Sequence, residues 1–131
     1  MLKNLGVGTL AVFVLWEVLD FVLHGIVLAG LYSQTGSLMR PPEEVKMILL
    51  VAVVFISAFA FTYIYVRFVQ PHTVQRAIQY GLMFGVAVGV GMGYGTYATQ
   101  PIPYMLALGW FLGTIIEAVL AGLLLGLIIR D

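Results

Sequence analysis

Cysteine is absent from the 131 residues, which removes disulfides, thiolate metal sites and cysteine nucleophiles from consideration. Charge is nearly as scarce. Six Lys/Arg and six Asp/Glu make up 9% of the chain, against about a quarter in a typical soluble domain. The cations are scattered and the formal net charge is zero, so the basic patch of a nucleic-acid-binding protein is missing. Also missing are a P-loop, a G-x-S-x-G elbow, an H-E-x-x-H pair and a dinucleotide fingerprint; the chain reads as non-enzymatic. Ser57 is the one serine well inside an apolar run, where a hydroxyl is expected to bond its own backbone or a neighbouring helix.

What is there is hydrocarbon: 62% hydrophobic residues and a mean hydropathy of +1.07. A soluble fold of this length has no interior large enough for so much apolar surface, so the chain reads as an integral membrane protein whose first partner is the lipid bilayer. Four runs, at about 5–32, 45–69, 74–98 and 103–129, each reach or exceed the ~20 residues needed to cross a bilayer as a helix. Glu17 and Asp20 interrupt the first run and no A-x-A site follows, so a retained span is expected there rather than a cleaved signal. The breaks are legible. Ser33-Gln34-Thr35-Gly36-Ser37 is turn-like, and Pro41-Pro42-Glu43-Glu44 has the proline and acids of a helix start, which places the beginning of helix two near Pro41. Gln70-Pro71-His72-Thr73 predicts a tight turn with Thr73 as N-cap and His72 capping or solvating it; Gln100-Pro101-Ile102-Pro103 is the third break.

Short connections predict an all-α fold: one transmembrane domain over residues 1–131, built as an antiparallel four-helix bundle. Lys3, Arg67, Arg76 and Arg130 fall on one side, Arg40 and Lys46 on the other, so the positive-inside rule puts both termini in the cytoplasm of a cell (inner) membrane. Tyr32, Tyr94, Tyr97 and Tyr104 are then expected at the outer interface, and Tyr65 and Tyr80 at the inner one.

Small residues carry the packing signal. Gly81, Gly85, Gly89 and Gly93 recur every four residues along span three, and span four has Gly109, Gly113 and Glu117 on one stripe with Ala118, Gly122 and Gly126 on another. Such spacing lets two backbones approach closely in lipid, where helices have no hydrophobic drive to associate. The expected contact is between spans three and four, with a further small-residue face left for self-association or a larger membrane complex.

Ionisable groups inside the runs are the unusual feature. Glu17, Asp20 and His24, spaced i, i+3, i+7, share one face of span one, and Glu117 lies near the middle of span four. The small stripe of Gly109, Gly113 and Ala121 beside Glu117 suits an approach by the first helix. Trp16 lies mid-span, and its indole N–H is expected to seek a carboxylate of this set. With no Lys or Arg at that depth, the acids are expected to be mostly neutral and hydrogen-bonded, with Asp20–His24 as the ion pair. Three uses are open: a polar network joining helices one and four, a proton or cation pathway, or a metal site. In the last, Glu17, Asp20, His24 and Glu117 would hold iron, manganese or zinc, although the spacing is Glu-x-x-Asp-x-x-x-His rather than the Glu-x-x-His of carboxylate di-metal bundles. No organic cofactor is expected. Haem would lack a second axial histidine, His72 being in a turn.

Leu19-Asp20-Phe21-Val22-Leu23-His24-Gly25, Met39-Arg40-Pro41, and Trp110 with Glu117 resemble a loose group of small bacterial inner-membrane proteins with four predicted spans and no assigned function. The resemblance implies topology and a bacterial cell membrane, and carries no activity. The expectation is an accessory, assembly or oligomer-forming subunit; the alternative is a small proton- or cation-coupled transporter or channel.

Overall fold

A computed structural model of the chain describes residues 1–36 and 38–131. Ser37, part of the first turn-like segment, lies outside the described residues. Helix α1 (Leu2–Val22) runs through a π-helical turn (Leu23–Val27) to a short α2 (Ala29–Ser33); α3 is Met47–Phe68. Helix α4 (Val74–Val90) continues through a second π-helical turn (Gly91–Gly95) into α5 (Thr96–Thr99), and α6 is Tyr104–Ile128. Four helical stretches, Leu2–Val27, Met47–Phe68, Val74–Thr99 and Tyr104–Ile128, are long and apolar enough to cross a membrane. At ~1.5 Å per residue they are roughly 33 to 39 Å long, somewhat more than a ~30 Å hydrocarbon layer.

Local chemistry sets the ends. Thr73 is extended and its Oγ1 accepts from Arg76 N at 3.2 Å, which caps α4. Helix α6 starts after Pro103, whose fixed φ suits the entry to a helix. The start of the second span differs from the expectation. Pro42–Glu44 closes only a 3-10 turn, the chain reopens at the extended Val45, and α3 begins at Met47. The turn spends its bonds on the Pro41 and Pro42 carbonyls, and β-branched Val45 leaves the helical region. The first span is also interrupted: Leu28 leaves helical geometry (φ −97°, ψ 2°), with its N–H bonded five residues back to Leu23 O.

The most extensive contact joins α4 to α6. Ala77, Gly81, Gly85, Gly89 and Gly93 are buried along one stripe. A Cβ built on Gly81 would run into the carbonyl oxygen of Ala118, one on Gly93 into that of Ala107, and one on Gly122 into that of Ala77. At Gly85 it would lie 2.8 Å from Ile115 Cα and at Gly89 3.0 Å from Phe111 O. Backbone therefore touches backbone over five turns, with residue numbers rising on α4 as they fall on α6. The other stripe of α6 faces α1: Leu23 fills the space in front of Gly113 and Leu28 that in front of Gly109.

Helix α3 packs on α1 through Phe13–Phe55 (ring centroids 5.5 Å) and Trp16–Phe61 (5.2 Å), and Gly8 gives room to Thr62. It meets α4 through Phe61 against Tyr80 and Phe84, 4.6 and 4.9 Å between centroids. Tyr65 and Tyr80 are held between the helices, each by a backbone carbonyl. Tyr65 is fully buried with its hydroxyl donating to Ile129 O (3.1 Å), and Tyr80 donates to Phe61 O (2.7 Å). Their rings fill the junction of α3, α4 and α6, where a backbone carbonyl satisfies each hydroxyl. Residues 47–51 of α3 are exposed on every side.

The glycine contact makes a sharp prediction. Gly81→Ala forces Cβ onto a carbonyl oxygen and should destabilise the fold by about 1–3 kcal/mol in reversible unfolding by a denaturing detergent in mixed micelles. Gly6→Ala, where a Cβ would meet nothing within 4 Å, should be neutral or stabilising by up to ~1 kcal/mol.

Candidate functional site: a polar ladder between α1 and α6

Trp16 and Glu117 begin the arrangement. The Trp16 indole Nε1 donates to the backbone carbonyl of Glu117 at 2.9 Å, not to a carboxylate as its sequence position led one to expect. Trp16 is wedged at the junction of α1, α3 and α6, where the nearest acceptor is the helix backbone. The Asp20 side chain, one turn along α1, interacts with the carboxyl of Glu117. Asp20 Oδ1 lies 3.8 Å from His24 Nε2, an ion-pair separation too long for a hydrogen bond. His24 Nδ1 is hydrogen-bonded to the Tyr32 hydroxyl, which also meets Trp110 Nε1 at 2.7 Å.

The donor inventory assigns directions. An indole N–H only donates, so Tyr32 O accepts from Trp110 and sends its own proton to His24 Nδ1. A neutral His24 then carries its proton on Nε2, facing Asp20. A tyrosine hydroxyl, whose ordinary value is about 10, is a donor at neutral pH. The result is an ordered series, Glu117, Asp20, His24, Tyr32, Trp110, climbing from mid-helix toward the end that carries residues 34–46 and 100–103. Trp110 is seven residues from Glu117 along α6, roughly 10 Å.

Glu17 stands apart from this series. Its Oε1 is buried with no hydrogen-bond partner among the described residues, as are Glu117 Oε1 and Thr62 Oγ1. The metal reading loses its ligand set. Among the described residues no three His, Asp or Glu side chains converge as a metal site. Two cavities were found elsewhere. One of about 320 Å³ is lined by Gln34, Thr35, Leu38 and residues 101–103; another of about 310 Å³ lies among Leu2, Gly6, Thr9, Leu10, Phe55 and Phe59. Neither is lined by a ladder residue.

Tyr32 and Trp110 are the members that sequence reasoning left out of the cluster. Trp110 had a signal, since it precedes Glu117 by seven residues and so shares its stripe. Tyr32 had none. The π-helical turn and the break at Leu28 bring it back beside His24, eight residues earlier. Such turns recur at functional sites.

A second polar arrangement closes the opposite end. Asp131 Oδ2 accepts from His72 N (2.8 Å), Oδ1 sits 2.9 Å from His72 Nδ1, and Asp131 N donates to His72 O (3.2 Å). His72 Nε2 faces Val66 O at 3.1 Å. Both ring nitrogens face acceptors, an arrangement that the doubly protonated ring satisfies in full. His72 thus ties the α3–α4 turn to the segment following α6. The backbone N–H of His72, aided by its ring, holds the exposed Asp131 carboxyl below its ordinary value.

No protein-family model matches this chain, and no curated protein or solved structure matches it.

Two outcomes are expected. Tyr32→Phe removes both hydroxyl bonds and should cost about 1–3 kcal/mol at ~1 kcal/mol per bond, read by the same unfolding titration. For Asp131 the folded value is the depressed one. Its stabilisation is therefore fully present above the ordinary carboxylate value of 3.8 and is lost as pH falls through the lower folded value. Asp131→Asn should flatten that part of a plot of unfolding midpoint against pH.

Proposed function

We propose that this chain is a non-enzymatic, multi-pass unit of a cell (inner) membrane, acting as an accessory, assembly or oligomer-forming subunit. Its spans cross the bilayer in alternating directions as one domain, with Met1 and Asp131 on the cytoplasmic side, where Lys3, Arg67, Arg76 and Arg130 collect. The resemblance to small bacterial inner-membrane proteins is consistent with that placement. The supporting observation is the state of the ladder. Hydrogen bonds of Trp16 and Trp110 tie α1 and α2 to α6, yet the side chains of His24 and Asp20 are left 41% and 32% exposed. Hydrocarbon offers neither donor nor acceptor to such groups, and ionisable side chains in a span are costly unless something covers them. A subunit that meets a partner along this edge resolves that cost.

A second reading is a small proton- or cation-coupled transporter or channel. What favours it is the succession of titratable and hydroxyl groups from Glu117 to Tyr32, leading from mid-span to one end, although Asp20 and His24 stand 3.8 Å apart. Against it stands the apolar packing on the other side of Glu117, where Val12, Phe61, Ala121 and Leu125 are buried.

The two readings separate in proteoliposomes. The subunit reading expects no proton or monovalent-cation flux above protein-free vesicles, with Asp20→Asn preserving fold and hydrogen bonding. Flux abolished by Asp20→Asn would establish the second reading instead.

A further inference from the structure

We propose that the polar edge of α1 docks onto a second copy of this chain, with Asp20 and His24 of each copy pairing with His24 and Asp20 of the other. This rests on the subunit reading and names its partner. The edge is continuous: Phe13, Glu17, Asp20 and His24 follow one another at i, i+4, i+7 and i+11 along α1. Its beginning is covered, because Phe13 meets Phe55 of α3. One turn farther along, α1 offers Glu17 and α3 offers Val51, which is 42% exposed; beyond that, Asp20 and His24 have only the uncovered start of α3 opposite. The same stripe of α3 that is buried at Tyr65, Phe61 and Ala58 emerges at Met47, which is 61% exposed. The chain therefore leaves a polar edge and an apolar wall open beside each other.

What covers them must supply hydrogen-bonding groups at the level of Asp20, which acyl chains cannot do. His24 is already held at Nδ1 by Tyr32, so its Nε2 is the side left to serve an acceptor, and its own Asp20 is too distant for a hydrogen bond. The edge carries an acid and a base one turn apart, roughly 6 Å along the helix. A surface bearing both a donor, His24 Nε2–H, and an acceptor, the Asp20 carboxyl, is complementary to itself across a two-fold axis, the symmetry of an isologous dimer. With that axis along the bilayer normal, both copies keep one orientation, their α1 edges cross, and His24 Nε2 of each reaches Asp20 of the other. The open wall at Val51 and Met47 is covered in the same step.

The absence of cysteine makes the test clean. In liposomes of phosphatidylethanolamine and phosphatidylglycerol, a short bis-maleimide should join Val51→Cys copies several-fold more efficiently than copies carrying Met83→Cys on the exposed face of α4. Asp20→Ala and His24→Ala, each alone, should weaken self-association about tenfold or more, as loss of one partner of a carboxylate hydrogen bond does. Mixing the two variants under different tags should restore hetero-pairs, because His24 of one copy then meets Asp20 of the other. A purely intrachain pair is broken in both variants and mixing rescues nothing, which would overturn the proposal. Equal cross-linking at Val51→Cys and Met83→Cys would also overturn it, and that comparison decides alone if the Asp20 and His24 variants fail to fold. Should Val51→Cys in native membranes join a different protein but not its own kind, the second copy is wrong and the subunit reading stands. If it joins nothing, both fall.

Discussion

The close approach of α4 to α6 is the constraint on which the remaining geometry hangs. Where the added Cβ of a residue at 81, 93 or 122 would strike a carbonyl oxygen, only glycine lets the two backbones meet. That contact commits one stripe of α6 to α4 and leaves the opposite stripe, Gly109, Gly113 and Glu117, to α1. Leu23 and Leu28 then fill the space in front of the two glycines and hold the far end of α1 beside α6. Asp20, His24 and Tyr32 are positioned by that seating. A ladder of polar groups forms because small residues first placed two helices correctly.

The two ends of the molecule handle polarity differently. At the end bearing the α3–α4 turn, His72 and Asp131 are saturated by four mutual and backbone contacts, and Tyr65 and Tyr80 each donate to a carbonyl. Toward the other, the Asp20–His24 separation is long; the orphaned oxygens among the described residues belong to Glu17, Glu117 and Thr62, within the helices. The exposed start of α3 lies toward that other end too.

Much of the fold was legible because its signals are local. Composition and run length marked four helices to within a few residues, and the i, i+4 recurrence of glycine marked the face by which α4 meets α6. The capping role of Thr73 followed from its place before Val74. Less of the site was legible. Glu117, Asp20 and His24 could be grouped by helical phase, and Trp110 shares that phase, yet Glu17 has the same credentials and its buried Oε1 finds no hydrogen-bond partner among the described residues. Tyr32 was out of reach because a π-helical turn shifts the register after Leu23, and nothing in the residues 23–27 announces it.

The sequence alone determined which segments are helical, which faces are small, and that ionisable groups would need company, since these follow from composition and from the fixed 3.6-residue period. Only the tertiary structure decided that Trp16 would bond a backbone carbonyl rather than a carboxylate. It also decided that Tyr65 and Tyr80 would be interior, that His72 would clasp Asp131, and that Tyr32 would join His24 to Trp110. Each of these is a meeting between residues distant along the chain or across a break in a helix. Its geometry depends on how closely neighbouring backbones approach and where a helix departs from its regular period, and neither quantity is a property of a single segment.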